Sequence, residues 1–137
     1  MRAQTTVADL ASTAVITVGS HESIRAADAQ MRLADVRHLP VVDGDDRLVG
    51  ILSNRDLLKA LGEGTAEREV RAVMSEDVVF VRAETYAYEA AAVMLDRRIG
   101  ALPVVDAQSR VTGILTETDF LRVAFRLLGG EALAVDD

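Results

Sequence analysis

The stretch at 38–56, HLPVVDGDDRLVGILSNRD, returns at 101–119 as ALPVVDAQSRVTGILTETD, at a fixed offset of sixty-three residues with no insertion or deletion. Over the wider span, residues 7–60 and 70–123 are identical at 18 of 54 positions, clustered at Leu39–Asp43 against Leu102–Asp106 and Gly50–Leu52 against Gly113–Leu115. A gapless duplication requires both halves to build the same unit. Its period is too long for a solenoid repeat and there are two copies, so the expected architecture is a tandem pair packed on itself about a pseudo-twofold axis.

Each copy opens with a β-branched run, Val15–Val18 or Val78–Val81, which predicts a short strand. An Ala-rich helix follows over Ser23–Ala34 or Tyr86–Arg97, its apolar stripe formed by Ala27, Met31 and Leu33 or by Ala90, Val93, Met94 and Leu95. Met31 and Met94 read as core rather than as soft ligands. The repeated phrase supplies two more strands, Leu39–Val42 and Leu48–Leu52 in the first copy, joined by Asp43-Gly44-Asp45-Asp46, with Asp106-Ala107-Gln108-Ser109 as the second turn. Three aspartates in one turn suggest a cation site, but the second copy keeps Asp106 alone, and no metal is expected there. Helices follow at Asn54–Leu61 and Glu117–Leu128, stopped by Gly62 and Gly64 or by Gly129-Gly130. A helical turn precedes each copy, at Val7–Leu10 and Val70–Met74. The expected fold is α/β, two β-α-β-β-α repeats over 1–61 and 70–128, with a linker at 62–69 and an acidic tail at 129–137.

Composition narrows the functions. A chain of 137 residues can bury one core without metals or disulfides, and the absence of cysteine removes zinc-thiolate sites and a cysteine nucleophile. The formal charge of −7 opposes broad contact with nucleic acid or an anionic membrane. No apolar run approaches a membrane span or a signal peptide, so a soluble cytoplasmic protein is expected. No Ser-His-Asp set, metal-ligand spacing or P-loop accompanies Asp56, Asp119, His38 and His21, so catalysis is not expected.

The chemistry concentrates where each copy ends, at Gly50-Ile-Leu-Ser53-Asn-Arg-Asp56 and Gly113-Ile-Leu-Thr116-Glu-Thr-Asp119. A hydroxyl followed three residues later by an acid at a helix start is close to a capping box, and capping alone accounts for both pairs. The same geometry offers more. A helix N-terminus and a hydroxyl suit a phosphate, while a carboxylate that would repel phosphate accepts two hydrogen bonds from a vicinal diol such as ribose. The strands containing Pro40 and Pro103 lie beside these groups as apolar walls for a base.

The duplicated LPVVD and G-I-L-[ST]-x-x-D pattern resembles a pair of cystathionine-β-synthase (CBS) domains, a Bateman module, from about Val7 to Leu128. The resemblance implies two clefts for adenine nucleotides or adenosyl compounds, no required cofactor, and a regulatory role. It makes Asp56 and Asp119 ribose acceptors and Ser53 and Thr116 hydroxyls near ribose and phosphate. It sets Thr17 and Val18 or Phe80 and Val81 beside the adenine, with Val36, His38 and Pro40 or Ile99, Ala101 and Pro103 opposite. It also implies a homodimer formed through helices and, for a module without an effector domain, a separate partner protein.

The copies are unequal. His38, Arg55 and Arg37 of the first copy correspond to Ala101, Thr118 and Gly100 of the second, so the first site is expected to prefer AMP, ADP or ATP and the second a less anionic adenosyl ligand or none. Arg97 and Arg98 end a helix within reach of either cleft. The alternative function is a structural dimerisation module without a ligand.

Overall fold

Two segments that leave one sheet and join the other determine how the halves fit together. The computed structural model describes residues 4–131; residues 132–137 of the expected acidic tail lie outside the described residues. In chain order the elements are α1 (Val7–Leu10), β1 (Val18–Gly19), α2 (Ile24–Ala34), β2 (His38–Val42), β3 (Leu48–Ser53), α3 (Asn54–Gly62), a 3-10 turn (Val70–Ala72), α4 (Ala87–Arg97), β4 (Ala101–Val105), β5 (Val111–Thr116) and α5 (Glu117–Leu127). One sheet runs β1-β2-β3, with β1 parallel and β3 antiparallel to β2, and the other pairs β4 with β5 antiparallel. This is the mixed α/β architecture of two repeats that the duplication predicts.

The repeats match in detail. His38 faces Ser53 across one ladder as Ala101 faces Thr116 across the other, and both ladders shift register one residue before their end, at Val41/Val42 and Val104/Val105. The sheets meet where Arg47 bridges Arg110, two positions equivalent under the sixty-three-residue offset. Beside that bridge the Leu48 N–H donates to the Ser109 carbonyl at 3.0 Å and the Val111 N–H to the Asp46 carbonyl at 3.4 Å. Contacts between equivalent residues are what a pseudo-twofold axis passing between them produces.

Each half has its own aliphatic core. Ile24, Met31, Leu39, Leu52 and Leu57 pack in the first, and Met94, Leu102, Val104 and Leu115 in the second. The leading turns change places: Val7 is fully buried in the second core, and Val70 in the first. The Val7 N–H donates to the Thr85 carbonyl at 2.8 Å and the Val70 N–H to the Glu22 carbonyl at 2.8 Å. Burying a valine contributes about 1.5–3 kcal/mol, so each leading turn clasps the opposite half. The unit expected over 1–61 therefore has its first helix in its neighbour's core.

The expected strands at Val15–Val18 and Val78–Val81 shrink to the two-residue β1 and to a single bridge, Val81 to Val104. The cause is the crossing. Ser12 exchanges backbone hydrogen bonds with Ile114 on β5, both 3.0 Å, while Val18 pairs with Val41 on β2. Ser75 likewise exchanges bonds with Ile51 on β3 before Val81 joins β4. Residues 14–17 and 76–80 span the gap between sheets and follow neither ladder.

The apolar stripes also differ from expectation at their ends. Leu33 is 88% exposed and Leu95 81% exposed, whereas Ala27, Met31, Ala90 and Met94 are buried. Ser23 caps α2, its Oγ accepting from the Ala26 N–H at 3.0 Å. Helices α2 and α4 end on left-handed residues at equivalent positions, Asp35 and Arg98, each at φ 55°.

Candidate functional site

The turn from β3 into α3 is built by two residues that serve each other. The Ser53 N–H donates to Asp56 Oδ2 at 3.0 Å, and the Asp56 N–H to Ser53 Oγ at 3.1 Å. In the second copy the Thr116 N–H and Oγ1–H both donate to Asp119 Oδ2, at 2.8 and 3.2 Å. These are the capping boxes that the spacing predicts. Each uses one carboxylate oxygen. Oδ1 of Asp119 lies 3.7 Å from the Arg122 guanidinium, too far for a hydrogen bond. The first helical N–H is consumed as well: Asn54 donates to the Arg37 carbonyl at 2.8 Å and Glu117 to the Gly100 carbonyl at 3.0 Å. The next N–H, that of Arg55 or Thr118, is one of the donors that a helix start leaves for solvent or an anion.

Both carboxylates border open clefts between the halves. The Asp56 cleft encloses about 680 Å³ and includes Ser53 and Arg55, and the Asp119 cleft about 720 Å³, including Thr116. Either volume accommodates a small-molecule ligand of ordinary size. Equivalent aliphatic residues wall both: Ile51, Val78, Val79 and Ile99 in the first, joined there by Leu58, and Ile114, Val15, Ile16 and Val36 in the second.

These walls are supplied crosswise. Ile99 and Ala101, expected beside Asp119, line the Asp56 cleft, and Val36, expected beside Asp56, lines the Asp119 cleft. The crossing segments contribute Val15–Ile16 and Val78–Val79, two residues before the expected Thr17–Val18 and Phe80–Val81. Val18 and Val81 point into the cores, and Phe80 borders a separate cavity of about 140 Å³. Thr17 borders neither cleft. Pro40 and Pro103 are fully buried within β2 and β4 and reach neither cleft.

The clefts differ in charge. Arg37, Arg55 and Arg98 stand against Asp56 and Asp77 in the first, whereas Arg37 and Arg122 stand against Asp35, Glu117 and Asp119 in the second. Arg37 and His38 border both. Burial lowers the His38 imidazole below its ordinary pKa, opposed by Glu117 and Asp56 and assisted by Arg37. Of these groups, the left-handed pair Asp35 and Arg98 contributes the clearest reversal of sign at one equivalent position.

The Asp-rich turn has another task. Asp43 Oδ1 accepts the Asp45 and Arg47 N–H groups at 2.8 and 3.0 Å, and Asp106 Oδ1 accepts those of Gln108 and Arg110 at 2.8 and 3.0 Å. These carboxylates organise their own turns.

The sequence profile of the CBS domain matches residues 7–63 and again residues 70–126. The chain belongs to the CBS domain family. Among solved structures, this CBS pair superposes with a TM-score of 0.83 and 32% identity on the CBS domain pair of protein MJ0100 in complex with 5′-methylthioadenosine and S-adenosyl-L-methionine, covering 90% of this chain and 98% of that one. CBSX2, from Arabidopsis thaliana, in complex with AMP gives a TM-score of 0.79 at 30% identity, covering 90% and 98%. Among curated relatives, inosine-5′-monophosphate dehydrogenase of Methanocaldococcus jannaschii is 38% identical over 108 residues, 79% of this chain. The chain spans 21% of that enzyme's length.

Proposed function

We propose that this CBS pair is a noncatalytic sensor that binds an adenine nucleotide or adenosyl compound between its halves and passes the change in shape to a separate partner protein. The observation that carries this reading is the placement of Asp56 and Asp119, each at a helix start and each bordering a cleft with aliphatic walls from both repeats. A carboxylate that accepts from ribose hydroxyls, aliphatic side chains against a purine, and helix N–H groups toward phosphate make one coherent nucleoside site. The ligands of the MJ0100 and CBSX2 structures, S-adenosyl-L-methionine, 5′-methylthioadenosine and AMP, are of this class.

The Asp56 cleft, with its excess of arginine, takes the phosphorylated ligand, AMP, ADP or ATP. The Asp119 cleft, with its excess of carboxylate, takes a less anionic adenosyl compound. Ligand shifts the relative position of the halves only through its differential affinity for two arrangements, and the clefts between them are where such a difference arises. Exposed Leu58, Leu121 and Phe125 on α3 and α5 provide an apolar face for a second copy of the chain.

Thermal denaturation against a panel of AMP, ADP, ATP, S-adenosyl-L-methionine and GMP tests the reading. At one hundred times the dissociation constant a ligand adds about 2.7 kcal/mol, a rise of several degrees. A panel in which no adenine compound raises the midpoint more than GMP favours the second reading, a dimerisation module in which both aspartates serve as caps, as their Oδ2 atoms do.

A further inference from the structure

We propose that the second half carries a third site, an apolar pocket with charges of both signs at its mouth, which takes a free aliphatic amino acid of the size of methionine. The cavity encloses about 430 Å³ between the end of α1, residues 82–84 and the β4–β5 hairpin. It shares Ser12 with the Asp119 cleft and no residue with the Asp56 cleft, and the inference does not rest on the nucleotide reading.

The duplication supplies the comparison. The backbone around the cavity is alike in both halves: the Ala8 N–H donates to the Ala83 carbonyl as the Arg71 N–H does to that of Ser20, both at 3.0 Å. The side chains differ. Arg71 and Met74 of the first half stand where the second has Ala8 and Ala11. Met74 packs against the first core, its sulfur 2.5 Å from the point where a side chain on Gly50 would begin. Over the equivalent Gly113 the three nearest atoms belong to Ser12 and Val104, so Ala11 leaves the space that Met74 takes. An unbranched thioether chain is therefore the shape this backbone accommodates, and Ala83, Val104 and Val105 keep the walls apolar. A volume of about 430 Å³ also leaves room for an α-carbon and its two charged groups.

The charged groups at the mouth select the rest of the ligand. Arg82 and Glu84, which stand where the first half has Gly19 and His21, border the cavity together with Asp106. Arg82 Nε lies 3.6 Å from Glu84 Oε1, too far for a hydrogen bond, so both keep capacity for another partner. Asp106 gives Oδ1 to the Gln108 and Arg110 N–H groups of its own turn and has Oδ2 to spare. A fatty acid would satisfy Arg82 and be repelled by two carboxylates. An alkylamine would satisfy the carboxylates and leave Arg82 unmatched. A zwitterion uses both signs, its α-carboxylate against the Arg82 guanidinium and its α-ammonium against Glu84 and Asp106.

Backbone amide resonances of the full chain, followed by nuclear magnetic resonance during titration with L-methionine, L-norleucine and N-acetyl-L-methionine amide, test the site. The two amino acids are expected to shift the amides of Ala11, Ala83 and Ala107 saturably, and the uncharged derivative to bind about tenfold or more weakly. Ala11→Met fills the space with the side chain that the first half uses; it is expected to melt at or above the wild-type temperature and to bind neither amino acid. Arg82→Gln, a change at a half-exposed position, is expected to weaken both about tenfold or more and decides the matter if Ala11→Met does not fold. No saturable shift at the three alanines, or shifts confined to the Asp56 and Asp119 clefts, overturns the site and leaves the proposed function standing. Binding that survives in folded Ala11→Met overturns it as well. Equal affinity for the uncharged derivative, or for Arg82→Gln, overturns the amino-acid class, since a methionine side chain of another protein would bind in the same way.

Discussion

The carbonyl oxygen of Ser12 lies 2.7 Å from the point where a side chain on Gly113 would begin. Gly113 is buried in β5 at the place where the chain, before crossing between sheets, exchanges backbone hydrogen bonds with Ile114. A backbone residue held through both its N–H and its carbonyl cannot move aside as a side chain can. Gly113→Ala is therefore expected to destabilise the protein by about 1–3 kcal/mol. At the equivalent Gly50 the nearest atom is the Met74 sulfur, at 2.5 Å, with the Ser75 carbonyl at 3.0 Å. Met74 swings away more readily, so Gly50→Ala costs less. Urea denaturation of the two variants checks the ranking, and equal losses would contradict it.

Capping and ligand binding by Asp56 separate under graded substitution. Asp56→Ala removes the acceptor of the Ser53 N–H and costs about 1 kcal/mol, near 4 °C in melting temperature, together with the proposed ribose contact. Asp56→Asn keeps an acceptor for the cap but loses the charged diol acceptor. The expected result is a melting temperature close to wild type for Asn and lower for Ala, with AMP affinity reduced about tenfold or more in both. Calorimetry beside thermal melts measures the two quantities on the same samples. Unchanged affinity in both variants would reduce Asp56 to a cap.

The duplication made the repeat, the strand pairs and both helix starts legible because each depends on neighbours close in sequence. Ser53 and Asp56 are three residues apart, and their reciprocal bonding follows from spacing alone. The cleft walls depend on how one half meets the other, which local pattern does not encode. Reading β-branched Val15–Val18 as a strand ignored that a segment between two sheets must leave one before joining the other. That crossing turns Val15 and Ile16 to the cleft and Val18 to the core. Pairing each aspartate with the wall of its own copy failed for the same reason. Val7 in the second core and Val70 in the first show that the halves are interleaved. A usable signal did exist in the sign reversal between Asp35 and Arg98, three residues before the equivalent strand starts His38 and Ala101.

The arginine excess of the Asp56 cleft predicts which substitutions matter for phosphate. A charge-assisted hydrogen bond contributes about 1.5–3 kcal/mol, so Arg55→Ala or Arg98→Ala should weaken ATP binding about ten- to a hundredfold and leave adenosine binding little changed. In the Asp119 cleft the converse substitution, Glu117→Gln, removes a like charge and should strengthen AMP binding there. Titrations of these variants with ATP, AMP and adenosine, with the other cleft disabled by Asp119→Asn or Asp56→Asn, give each affinity separately. Equal losses for adenosine and ATP would place the arginines away from phosphate.

The hairpin turns give the fold a defined response to acid. Hydrogen bonding from the Arg47 N–H, and then from the Asp45 N–H, holds the Asp43 carboxyl below its ordinary pKa; the Arg110 and then Gln108 N–H groups do the same for Asp106. A carboxylate whose folded pKa is depressed contributes stability that is fully present above the pKa it has in the unfolded chain. That contribution is lost as pH falls through the folded value. In the double variant Asp43→Asn/Asp106→Asn an amide oxygen still accepts the turn N–H groups, but nothing titrates there. The variant is therefore expected to melt below wild type near neutral pH, and the gap to narrow as pH falls from about 5 to about 3. Scanning calorimetry across that range follows both proteins, and a gap that stays constant would mean that the two aspartates titrate alike in the folded and unfolded chains.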